Sequence, residues 1–162
     1  MRNLKSFFEL EFARPASEGV VASIKMLIGT GIDLTEIPRI QNSIARFGNR
    51  FLDRIFTPLE KEYCLRKRNA AESFAARFAA KEAAAKALGT GISYGVNWLE
   101  IEVTRAPSGR PGLAFHGRAA QIAARLGVTN AALSLTHSGV LAMASVALEG
   151  ASSAPSPQVQ GA

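Results

Sequence analysis

Asp33, Glu82 and Lys86 are the residues of this 162-residue chain whose types and spacing could do chemistry. Glu82 and Lys86 stand four apart at the end of the series Phe74, Phe78, Glu82, Lys86, which on a helix forms one slowly drifting stripe opening with two aromatics. Taken alone, the last two residues read as an exposed Glu–Lys pair worth about 0.2–0.5 kcal/mol. Asp33 follows Gly-Thr-Gly-Ile at 29–32 and reads either as a residue that leads into a helix or as a metal ligand. Together, Asp33 and Glu82 supply the one or two carboxylates by which Mg²⁺ attaches to protein, its other positions being filled by water and substrate phosphate. Lys86, one turn beyond Glu82, stands where a phosphate oxygen needs a cation.

These side chains need a strand and a long helix to carry them. Met26–Leu34 reads as a strand with Ile28, Ile32 and Leu34 on one face and Leu27, Gly29, Gly31 and Asp33 on the other. Two glycines beside a carboxylate leave open space for something to approach closely. Pro38 suits the first turn of a helix running to about Phe47. Thr57-Pro58-Leu59-Glu60 is a capping box that opens a helix to about Arg68. Ala70–Leu88 is a long alanine-rich helix ended by Gly89, with Arg77 and Lys81 flanking the stripe and making its surface basic.

Beyond it the period changes to two. Trp98–Thr104 alternates, with Leu99, Ile101 and Val103 on one face, and Pro107-Ser108-Gly109 turns the chain into Leu113–Phe115. Gly117–Leu126 is a short helix closed by Gly127. Ala131–His137 and Val140–Leu148 form a hairpin turning at Ser138-Gly139. The expected fold class is α+β, a single domain over 26–149 with the Ala-rich helix packed on a mainly antiparallel sheet. Residues 1–25 read as an N-terminal extension, with Met26 as an alternative start. Residues 150–162, without charge or aromatic, read as a disordered tail.

Composition narrows the function classes. Nineteen Lys and Arg face thirteen Asp and Glu, a net charge of +6, which favours an acidic partner or a phosphate-bearing ligand. Cys64 is the only cysteine, so no intramolecular disulfide forms, and with His116 and His137 it cannot build a Cys/His zinc site. No stretch approaches the roughly 20 apolar residues of a membrane helix, and Glu9 and Glu11 interrupt the one apolar candidate for a secretory signal. A cytoplasmic protein is expected. Gly29-Thr30-Gly31 lacks the third glycine of a dinucleotide fingerprint, position 34 being leucine, and no Walker A motif occurs. Arg39, Arg46, Arg50 and Arg54 recur with only Asp53 opposing them, an arrangement suited to an acidic partner; Arg66-Lys67-Arg68 adds a second basic spot. A basic module binding nucleic acid is the rival class. It would want aromatics among the basic clusters, where Tyr63, Tyr94 and Trp98 do not fall, and it gives no reason for Asp33 and Glu82.

Four segments, GTGIDLTEIPRI at 29–40, RFLDRIFTPLE at 50–60, RFAAKEAAAKALGTG at 77–91 and LSLTHS at 133–138, occur in the order seen in the holo-[acyl-carrier-protein] synthases, and the chain resembles that family of the 4′-phosphopantetheinyl transferase superfamily from about Met26 to Glu149. The resemblance implies transfer of the 4′-phosphopantetheine arm of coenzyme A to a serine of an apo acyl carrier protein, with adenosine 3′,5′-bisphosphate released. By the same resemblance Asp33 and Glu82 are Mg²⁺ ligands, and Lys86 lies near the pyrophosphate. His137 is close to coenzyme A, and Arg77 is assigned with it. Arg39 and Arg50, with Arg54 beside them, meet the carrier protein's acidic recognition helix. It also implies a homotrimer with active sites between subunits, serving fatty acid biosynthesis or, with another client, the carrier domains of polyketide or peptide synthesis; with the composition, no nucleic acid or membrane is expected as partner.

Overall fold

Alanine and glycine set the central contact of the molecule. The computed structural model describes residues 25–92 and 95–151. In chain order these form β1 (Lys25–Glu36), α1 (Ile37–Phe47), α2 (Asn49–Ile55), α3 (Pro58–Leu65) and α4 (Ala70–Ala87). A 3₁₀ turn at Trp98–Glu100 leads into β2 (Ile101–Arg105), β3 (Pro111–Phe115), α5 (Gly117–Arg125), β4 (Val128–Ser138) and β5 (Leu141–Ala151). The strands form an antiparallel sheet of order β1-β5-β4 and a separate antiparallel β2-β3 hairpin. The fold is α+β, as the sequence predicts.

The long helix lies directly on β1. A Cβ added at Gly31 would stand 2.0 Å from the Ala83 carbonyl oxygen, and one at Gly29 would stand 2.2 Å from that of Ala87. No side chain fits either position, so helix backbone rests on strand backbone. The space expected beside these glycines is filled by α4. The other face of β1 turns away from the helix, leaving Ile32 and Leu34 each 57% exposed.

Alanines bury α4 on nearly every side. Ala79, Ala80, Ala83, Ala84, Ala85 and Ala87 join Ile101, Val103, Leu133, Val146 and Leu148 in one core, and Phe74, Ala75 and Ala76 join Ile40, Leu52, Ile55 and Phe56 in another. A helix apolar around most of its circumference belongs in the interior. Arg77 and Lys81 are therefore enclosed too, at 6% and 0% exposure, which corrects the expectation that they form a basic surface.

Local signals place most boundaries. Thr57 and Glu60 make the predicted capping box at the start of α3, Pro38 sits in the first turn of α1, and Gly89 follows α4 with φ at 75°. Two expectations change. α3 stops at Leu65 because the chain tightens there, Lys67 N–H donating to the Cys64 carbonyl at 3.0 Å, and turns into α4. The predicted strand at 98–104 begins only at Ile101. Asn97 accepts from Leu99 N–H while the Glu100 carboxylate accepts from Asn97 N–H, and this local box wins over alternation, leaving Leu99 39% exposed. β1 begins at Lys25 and β5 reaches Ala151; the extension over 1–24 and the tail over 152–162 lie outside the described residues. Among the described residues no helix is long and apolar enough to cross a membrane.

Candidate active site

β1 and α4 bring Asp33, Glu82 and Lys86 together. Asp33 sits opposite Ala144 in the β1-β5 register, on the face that meets α4. Its carboxylate accepts a hydrogen bond from Thr35 Oγ1 at 3.0 Å and pairs with Lys86 Nζ at 2.9 Å. Lys86 also donates to the Ile32 carbonyl at 3.1 Å. The simple Glu82–Lys86 pair suggested by their spacing is replaced by a link across elements, from helix to strand.

Glu82 lies half-buried one turn earlier on α4. Burial pushes its carboxyl above the ordinary range and the charge of Asp33 pushes it further, while Lys86 and Arg39 pull it back. Two carboxylates thus share a partly desolvated spot, compensated by an ammonium that is itself half exposed. This donor set fits Mg²⁺, which takes one or two carboxylates and keeps water and phosphate oxygens in its remaining positions. Among the described residues no group of three or more His, Cys, Asp and Glu could hold a metal, so a cage of protein ligands alone is absent there.

Arg77 and His137 meet in a second place, a cleft also lined by Tyr63, Glu72, Ser73 and Arg105. The Arg77 guanidinium lies 4.1 Å over the Tyr63 ring, donates to the Ser73 carbonyl at 3.4 Å, and keeps a buried Nε without a partner. Lys67 stands 4.5 Å from the same ring, and Arg105 donates to the Tyr63 hydroxyl. Burial works to raise the Tyr63 phenol, but the hydrogen bond from Lys67 and the charges of Arg105, Lys67 and Arg77 together outweigh it and lower the pKa. His137 Nδ1 is 4.0 Å from Glu72 Oε2. Cations gathered with so little compensation favour an anion. Arg77 and Lys86, nine residues apart on one helix, are separated by roughly 13 Å along its axis at 1.5 Å per residue. The three residues assigned to coenzyme A therefore occupy two neighbouring places and not one pocket.

The arginines assigned to docking form a third group. Arg39 and Arg46 on α1 and Arg50 and Arg54 on α2 are all exposed. Asp53, the acid expected to oppose them, pairs with Lys61 instead. Arg39 is close enough for its charge to act on Glu82, so the basic surface begins beside the carboxylate pair.

Sequence reasoning missed Tyr63 and Arg105 in the cleft and the partnership of Glu60 with Lys81. Lys67 was visible as part of a basic run, but nothing in the spacing connected it to Tyr63. Cys64 is buried and its thiol is pushed up to about 11, mainly by burial, which leaves it unreactive.

Comparison with known proteins bears on the family of the chain. Residues 29–144 match the 4′-phosphopantetheinyl transferase superfamily. The chain is 60% identical over 124 residues to a holo-[acyl-carrier-protein] synthase of Koribacter versatilis (strain Ellin345), covering 76% of this chain and 99% of that one. Among solved structures, the holo-[acyl-carrier-protein] synthase of Neisseria meningitidis superposes with a TM-score of 0.69 at 33% identity, covering 76% of this chain and 98% of that one. That of Helicobacter pylori, in complex with coenzyme A, superposes with a TM-score of 0.66 at 30% identity, covering 74% and 98%. With the motifs, the fold and these relatives in agreement over the same stretch, the chain belongs to the 4′-phosphopantetheinyl transferase superfamily, among its holo-[acyl-carrier-protein] synthases.

Proposed function

We propose that this enzyme moves the 4′-phosphopantetheine arm of coenzyme A onto a serine hydroxyl of an apo acyl carrier protein, with Mg²⁺ held by Asp33 and Glu82, and releases adenosine 3′,5′-bisphosphate. The observation that carries the reading is the half-buried Asp33–Glu82 pair with Lys86 2.9 Å from Asp33. In the reaction the serine oxygen bonds to the phosphorus bearing pantetheine, the phosphoanhydride bond to the nucleotide breaks, and the serine proton is lost. Such a transfer needs alignment and charge neutralisation more than covalent help from protein. The metal, when bound, neutralises charge on the pyrophosphate oxygens. Lys86 adds a positive charge, anchored by the Ile32 carbonyl as well as by Asp33. Glu82 has a raised proton affinity, which suits it to receive the serine proton directly or through water.

The remaining assignments rest on the family resemblance, with support from charge. The cleft of Arg77 and His137 suits the phosphate-bearing nucleotide end of coenzyme A, a molecule long enough to reach Lys86 as well. Arg39, Arg50 and Arg54 suit the acidic face of a carrier protein. The middle of the outer face of the β1-β5-β4 sheet presents Thr30, Ile32 and Leu34 beside Met143, Ser145 and Ala147, and then Ala132, Ser134 and Thr136, with Glu36 at one end and Glu149 at the other. A face whose middle is partly apolar supports self-assembly of the enzyme, which the family resemblance makes a homotrimer; service of fatty acid biosynthesis in the cytoplasm is carried over from the same resemblance.

Chromatography of the nucleotide product tests the reaction. Adenosine 3′,5′-bisphosphate should appear only when coenzyme A, Mg²⁺ and an apo carrier protein are all present. Release that needs no carrier protein, or that survives a chelator, would contradict the proposal.

A further inference from the structure

Behind the carboxylate pair lies a second, fully enclosed pair of charges. Lys81 immediately precedes Glu82 on α4, and neither Lys81 nor Glu60 of α3 exposes any of its side chain. The Lys81 ammonium stands 2.8 Å from Glu60 Oε2 and donates to the carbonyls of Trp98 at 3.0 Å and Ile101 at 2.7 Å. Glu60 accepts in turn from the backbone N–H groups of Thr57 at 2.8 Å and Val103 at 2.9 Å. One lysine thereby joins α4 to α3, to the 3₁₀ turn and to β2.

Stability alone does not account for this arrangement. Taking two charges out of water costs several kcal/mol per ion, and well-packed apolar residues of equal volume often serve a fold as well or better. What the pair supplies is direction. Around Glu82 the buried residues of α4 are Ala79, Ala80, Ala83, Ala84 and Ala85, which offer little to resist rotation about the helix axis, and the large side chains that engage partners, Phe74 against Phe56 and Phe78 against Trp98, lie a turn or more earlier. Contact with Gly29 and Gly31 sets how close α4 comes to β1 but permits sliding. An ammonium with three fixed acceptors permits neither sliding nor rotation. Glu82, the next residue, lies about 100° further round the helix, so the azimuth of Lys81 sets that of Glu82.

We propose that the buried Glu60–Lys81 pair is a positioning device that holds α4 at the rotation where Glu82 faces Asp33. The inference rests on the reading of Asp33 and Glu82 as the metal-binding pair, and Lys81 itself touches neither substrate nor metal.

The test uses the full-length enzyme and the double variant Glu60→Gln/Lys81→Met, which removes both charges and keeps the volume. Mn²⁺ affinity in the presence of coenzyme A is read by electron paramagnetic resonance, kcat by transfer to an apo carrier protein, and metal-free coenzyme A affinity by calorimetry. Folding is checked by circular dichroism. Positioning predicts that the double variant loses about tenfold in Mn²⁺ affinity and about tenfold or more in kcat, because small misplacements of a reacting group are expensive, while metal-free coenzyme A affinity stays within about twofold. Glu60→Asp is measured beside it, since it keeps the charge and withdraws the carboxylate by one methylene; it should lose roughly threefold in Mn²⁺ affinity. If the double variant does not fold, Glu60→Asp decides alone. Folded variants with wild-type Mn²⁺ affinity and kcat would overturn the positioning role and leave the transferase reading intact. A wild-type protein that neither transfers nor binds Mn²⁺ with coenzyme A would defeat the transferase reading, and the positioning role with it.

Discussion

Glu82 is costly to the resting protein. Its carboxyl is held above the ordinary range by burial and then by Asp33, so the folded state binds this proton more tightly than the unfolded chain does. The sign follows from linkage: Glu82 contributes most favourably at low pH, where it is protonated in both states, and that contribution is lost as pH rises through its folded pKa. At pH 7 without metal, Glu82→Gln should therefore melt above wild type, the gap closing as pH falls through the carboxylate range. Calorimetric scans at pH 7 and pH 4 check this, and a variant melting lower than wild type at pH 7 would contradict it. The Asp33, Glu82 and Lys86 group was legible in the sequence because a strand carrying Gly-Thr-Gly-Ile-Asp and a four-residue helical spacing both survive in the fold. Arg77 and Lys81 were not. Among so many alanines no apolar stripe marks which side of α4 faces inward, and their charge alone pointed to the surface.

Between elements, the β1–α4 contact fixes the distance from Asp33 to the residues it works with. Gly31 is the tightest point, its missing Cβ leaving room for the Ala83 carbonyl. Gly31→Ala should lower stability by roughly 3 kcal/mol or more in urea unfolding, because the clash is with backbone and cannot be relieved by a side-chain rotation. A loss below about 1 kcal/mol would show that α4 sits more loosely on β1 than its geometry implies. The caps at Thr57 and Gly89 and the β4-β5 turn at Gly139 were legible because each rests on a few adjacent residues. The glycine face of β1 was legible as a place of close approach, but its occupant is a helix, and no local pattern names a partner fifty residues away. At Trp98–Glu100 alternation misled for a local reason, since Asn97 and Glu100 satisfy each other's backbone first.

At the scale of the whole molecule, charge and surface decide who meets the active site. The net charge is +6, and four exposed arginines of α1 and α2 lead from solvent to the neighbourhood of Glu82. Electrostatic steering of an acidic carrier protein should follow, with an association rate that falls as salt rises. Arg39→Glu should weaken carrier-protein binding about tenfold or more and coenzyme A binding by less than about threefold, as measured by titration of each ligand. Equal losses would argue against a docking role. The basic stretch was readable from the sequence; the division of the cations proposed to meet coenzyme A into two places along α4 was not, because it depends on Tyr63 and Arg105 arriving from α3 and β2. The central claim is tested most directly by the intact mass of an apo acyl carrier protein incubated with this enzyme, coenzyme A and Mg²⁺. A gain of one phosphopantetheine, abolished by a chelator and by Glu82→Ala, is the predicted result. An unchanged carrier mass with folded enzyme that binds coenzyme A, or a gain that Glu82→Ala leaves intact, would contradict it.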